Sequence, residues 1–165
     1  MHLIDTEVLW ALRGGSPSDE RQPVVDWAAA QPRTGLFVSA LSLAELGLAA
    51  VQVERADKGS AAAIRRWIAG PVSAAFDGRV LAADAAVARR AASLGYSHLR
   101  DGLFAATALE HGLTIATRTP AAFRVGKVRT VDPWSYAPGA EPDDGDWRQA
   151  SRAGPVWLKN LFVRG

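Results

Sequence analysis

The chain has 165 residues, 48% of them apolar and 22% charged, with a formal charge of +2 and a sequence pI near 9.4. Such a composition describes one globular domain and excludes a disordered chain; the mildly basic balance suits an anionic partner without requiring one. Cysteine is absent, which rules out disulfides and thiolate metal sites, and His2, His98 and His111 lack the spacing of a histidine-based zinc site.

In chain order, His2-Leu3-Ile4 reads as a short strand stopping at Asp5, and Thr6 as the cap of a helix over Glu7 to Arg13 that Gly14-Gly15 end. A polar loop precedes a second helix from Pro23 to Ala30. Leu36 to Ser39 forms a second strand, and an Ala-rich helix follows from Ser42, breaking around Asp57 to Ser60. A further helix carries Ile64, Trp67 and Ile68 as far as Gly70-Pro71. Arg79 to Leu81 reads as a third strand, and Asp84 as the plain N-cap of a helix over Ala85 to Leu94. Asp101 opens a helix with Leu103, Ala106, Ala108 and Leu109 toward a core, and Gly112 stops it. Strands over Leu113 to Thr117 and Val128 to Val131 complete the series. Alternation at this spacing predicts an α/β domain with a largely parallel sheet. No apolar run reaches the length of a membrane span, and no leader pattern opens the chain, so a cytoplasmic protein without membrane contact is expected.

Ligands of parallel sheets gather beyond the carboxyl ends of the strands. Asp5, Glu45 and Asp101 all fall there, and three carboxylates meeting at one edge would repel. Two like charges at about 4 Å cost on the order of 4 kcal/mol at an effective dielectric near 20. Either the acids stay apart or a divalent cation joins them, and oxygen-only ligands favour Mg²⁺ or Mn²⁺ over zinc. Each acid also has a plain structural role open to it: Asp101 as a cap, Asp5 as a turn residue, and Glu45 as the closing member of a capping box with Ser42. A haloacid-dehalogenase phosphatase would need Asp-x-Asp where residues 5 to 7 read Asp-Thr-Glu, and a phosphoacceptor receiver would need an acidic pair and a strand-end lysine that are missing.

Taken together, Leu3-Ile4-Asp5-Thr6, Phe37-Val38-Ser39-Ala40 with Leu43-Ala44-Glu45-Leu46, Gly78-Arg79-Val80-Leu81 with Asp84, Asp101-Gly102-Leu103-Phe104-Ala105-Ala106-Thr107-Ala108 with His111-Gly112-Leu113, Thr117-Arg118 and Pro133-Trp134 resemble a PIN domain of the VapC toxin type. The resemblance runs from residue 3 to about residue 134 and implies a PIN domain over 1–134. It implies a metal-dependent endoribonuclease, the toxin of a type II toxin–antitoxin module, dimeric with itself and held inactive by a VapB-like antitoxin. The family's metal and catalytic acids match Asp5, Glu45 and Asp101. Two departures stand out. Glu7 occupies a position where the family usually has Asn, and Ala122 replaces a fourth acid, with Phe123 keeping the frame.

On that resemblance, Asp5 and Asp101 would hold Mg²⁺ (or Mn²⁺), and Glu45 would complete the coordination or orient the water. Thr6, Glu7, Thr117 and Thr119 are accessory candidates, with Glu7 making up for the acid lost at Ala122. Arg13, Arg100 and Arg118 are the candidates for gripping RNA. The rival reading is a PIN fold that binds RNA or a protein without cutting. The extension over 135–165 lies outside the resemblance. Its Trp157, Leu158 and Phe162 form an apolar set interleaved with cations, expected to pack on the domain itself, with a second subunit or RNA as the other choices.

Overall fold

The structure, a computed structural model, describes residues 1–14, 20–138, 156–159 and 161. Strands β1 (His2–Ile4), β2 (Leu36–Ser39), β3 (Val80–Leu81), β4 (Thr114–Ala116) and β5 (Thr130–Val131) form one sheet in the order β3-β2-β1-β4-β5. Every pairing is parallel, as the alternation of strands and helices predicts. Helices α1 (Thr6–Ala11), α2 (Gln22–Ala30), α3 (Ala40–Glu54), α4 (Lys58–Trp67), α5 (Ser73–Ala75), α6 (Ala85–Ser93), α7 (Leu99–Glu110) and α8 (Val156–Lys159) surround it.

The two-residue period of a strand sends neighbouring side chains to opposite faces, and two cores result. Ile4, Val38 and Ala116 point into one, with Val8, Leu9, Trp27, Trp67 and Phe76. Leu3 and Ile115 point into the other, against Phe104, Ala105 and Ala108 of α7 and against Phe123. In the described part of the tail, Trp157, Leu158 and Leu161 are buried in the first core, and the Trp67 indole donates to the Leu161 carbonyl at 2.9 Å. The chain therefore covers those groups with its own domain; Phe162 lies outside the described residues.

Helix boundaries correct several sequence expectations. Asp5, not Thr6, caps α1, its carboxylate accepting from the Thr6 N–H at 2.7 Å. Ser39 caps α3 by accepting from Leu41 N–H at 3.1 Å, so the helix starts before Ser42 and no capping box forms with Glu45. Asp101 is not a cap either: α7 begins at Leu99, which puts Asp101 in its first turn. Asp84 does cap α6, accepting from the Ala86 and Val87 N–H groups. The helix expected to stop at Gly70-Pro71 continues through a π turn over Ile68–Val72 into α5. A wider turn absorbs a proline that has no N–H to donate.

Register fixes the working edge. Ile4 stands beside Val38 on one side and Ala116 on the other, so the chain leaves β1, β2 and β4 at one level. Asp5, the start of α3 and Thr117 follow directly.

Candidate functional site

The side chain of Asp5 is 1% exposed, and a carboxylate so buried requires partners. Its Oδ1 accepts from the Thr6 N–H and from Arg100 Nη2 at 2.5 Å, and its Oδ2 accepts from the Thr117 hydroxyl at 2.8 Å. Thr117 is itself fully buried and receives the Thr119 N–H at 3.1 Å, so the turn after β4 supports the acid after β1. Glu45 reaches the same place from the second turn of α3. Its Oε2 accepts a short bond from the Thr6 hydroxyl, and its Oε1 accepts from Arg100 Nε at 2.6 Å. Asp101, in the first turn of α7, accepts from Arg100 Nη1 at 3.2 Å.

The structure thus brings Asp5, Glu45 and Asp101 together, with the Arg100 guanidinium among them. Each of its nitrogens faces a different carboxylate, and its central carbon lies over the Phe104 ring, 4.7 Å from the centroid. Burial works against its charge, but Asp5 and Glu45 outweigh that and raise its pKa further above an already high value. Three carboxylates thus share one guanidinium. The donors are all oxygens, which suits a hard divalent cation. As arranged they bracket a guanidinium, and among the described residues no three acidic or histidine side chains stand in ion-holding geometry.

Comparison with known proteins decides the family. The PIN-domain family profile matches residues 2–127. The chain belongs to the PIN-domain family. This PIN domain is 31% identical over 147 residues to the VapC ribonuclease Y4jK of Sinorhizobium fredii, covering 83% of the present chain and 100% of that protein. It is 30% identical over 142 residues to toxin FitB of Neisseria gonorrhoeae, covering 81% and 99%. The crystal structure of FitAcB from Neisseria gonorrhoeae superposes with a TM-score of 0.73 at 28% identity, covering 82% of this chain and 99% of that one.

Beside the acids the PIN domain has a cleft of about 910 Å³, lined by Thr6, Glu7, Trp10, Arg13, Glu45, Arg118 and Trp134 among others. Glu7 is exposed there, on the same cleft as Glu45. The three arginines differ in use. Arg100 is turned inward on the acids. Arg118 pairs with Glu20 at 2.7 Å and lies over the Trp134 ring at 5.2 Å. Arg13 packs against the Trp10 and Trp67 rings, its Nε is buried with no acceptor among the described residues, and burial lowers its pKa. Ala122 lies in a 3-10 turn, Pro120–Phe123, and packs against the second core. Sequence reasoning missed the guanidinium's place among the carboxylates and the aromatic walls of the cleft. Adjacency of Arg100 to Asp101 on one helix was the available signal.

Proposed function

We propose that this PIN domain is a metal-dependent endoribonuclease, the toxin of a type II toxin–antitoxin module, working in the cytoplasm. The observation that carries the reading is the convergence of Asp5, Glu45 and Asp101, from three separate segments, at the carboxyl edge of a parallel sheet. Relatives named as a VapC ribonuclease and as toxin FitB support it. A VapB-like antitoxin and a second copy of the chain are the proposed protein partners.

Asp5 and Asp101 would hold Mg²⁺ or Mn²⁺, with Glu45 as the third ligand or the acceptor of the attacking water's proton. When bound, the ion supplies Lewis acidity toward a phosphate oxygen and acidifies a water. Thr117 fixes the rotamer of Asp5, and Thr6 that of Glu45, so both carboxylates are oriented before substrate arrives. Thr119 supports Thr117 from the next turn. Arg13 and Arg118 line the adjoining cleft, where their charge favours a phosphate chain and Trp10 and Trp134 offer faces or edges to bases. In hydrolysis the water oxygen would bond to phosphorus as the P–O bond to the ribose oxygen breaks, the attacking water's proton passing to Glu45 and the departing oxygen taking a proton from solvent. Glu7, on the cleft wall, is the proposed substitute for the acid missing at Ala122.

Ala122 favours a second reading, a PIN fold that binds RNA without cutting it. Incubation of purified protein and RNA with magnesium or with EDTA separates the two. Cleavage that needs magnesium and falls at least about a hundredfold in Asp5→Asn is expected of the nuclease. RNA binding without cleavage under either condition would favour the binding module.

A further inference from the structure

We propose that Arg100 is the resident cation of the acidic cluster: it holds Asp5, Glu45 and Asp101 together before metal arrives, and a divalent ion enters only by displacing its guanidinium. The inference rests on the metal-dependent reading above and assigns a positioning role to a residue that touches all three acids. Nε serves Glu45, Nη1 serves Asp101 and Nη2 serves Asp5, so each carboxylate is fixed by a separate donor of one rigid planar group. Without that charge the three acids repel, and Asp5, 1% exposed, cannot relieve the repulsion by turning to solvent.

A guanidinium has no lone pair to offer a metal. A divalent ion bound to these carboxylates would meet a like charge at contact distance, so the two cations exclude one another. The way out is open. The Arg100 side chain is 36% exposed, whereas Asp5 lies beneath it. Departure toward solvent therefore breaks three ion pairs and uncovers the edge of the second core at Phe104, while the first core is untouched.

Calorimetric titration of the whole protein with Mg²⁺ and Mn²⁺ tests this. Arg100→Gln should bind either ion at least about tenfold more tightly than the unaltered protein, as expected when a like charge is removed from the site. Arg100→Lys should fall between them, because a point ammonium cannot serve three carboxylates at once. In metal-free buffer Arg100→Gln should melt below the unaltered protein, and saturating metal should raise its melting temperature by the larger amount. In the unaltered protein, the Arg100 Nε–H resonance should lose its protection from solvent exchange on saturation with Mg²⁺. Equal or weaker metal binding by a folded Arg100→Gln, or an Nε–H that stays protected at saturation, would overturn the displacement while leaving the metal site standing. Absence of metal binding in every variant would remove the metal reading and this proposal with it.

Discussion

His2 sits half-buried in the central strand, its ring meeting that of Trp27 edge-on at 5.2 Å. Burial, and then the chain's own ammonium terminus, pulls its pKa below the ordinary 6.5. The unfolded chain therefore takes up a proton that the folded one resists. The stability lost this way is nil well above pH 6.5, grows as pH falls through that value, and stops growing below the folded pKa. Melting temperatures between about pH 7.5 and 5.5 should fall for the unaltered protein and fall less for His2→Gln; parallel profiles would count against the assignment. Asp5 shows what a single residue discloses before folding. An acid that ends an apolar strand was legible as a site candidate from its neighbours alone. That its two oxygens would be divided between Thr117 and Arg100 was not, because those partners come from the turn after β4 and from α7, and only the sheet order brings them near.

Among the elements, α3 has the most to lose from a change at its start. Ser39 is buried at the end of β2, and its hydroxyl satisfies an N–H of the first turn. Ser39→Ala should cost about 1 kcal/mol, the usual worth of an N-cap, read as a lowered midpoint in urea. Since α3 carries Glu45, the same change should also loosen that carboxylate's contacts with Thr6 and Arg100. Ser42-x-x-Glu45 has the form of a capping box, yet the helix begins a turn earlier because Ser39 can cap equally well and extends the strand directly into the helix. Two caps within a few residues are not ranked by local pattern; packing on β2 ranks them. Gly70-Pro71 misled for a related reason. A breaker predicts an interruption of the hydrogen-bond ladder, and a π turn interrupts it without ending the helix.

Across the whole molecule, the sheet and its parallel sense were legible, since short apolar runs spaced by helices leave few other solutions. The closing of the first core by the tail was legible only as a need: Trp157, Leu158 and Phe162 were expected to require cover, and in the described residues it is Trp157, Leu158 and Leu161 that the first core buries, with Trp67 providing part of the cover. Leu158 is 2% exposed, so Leu158→Ala should destabilise by about 2–5 kcal/mol in thermal or urea unfolding. Any effect on the proposed RNA cleavage should vanish at temperatures where the variant stays folded, because Leu158 lies in the core and not among the acids. The place of β1 at the centre of the sheet carries a further consequence. His2 pairs with Leu36 on one side and with Thr114 on the other, so the middle strand is complete only after most of the chain is available. Pairings across such sequence distances close late and slowly. A nascent chain holds Asp5 and Glu45 well before it holds Arg100 and Asp101, and a fragment cut between them holds only half of the cluster. A chain that ends before Arg100 therefore lacks two of the four residues of the cluster, and whatever the cluster does begins only when synthesis of the domain is nearly done.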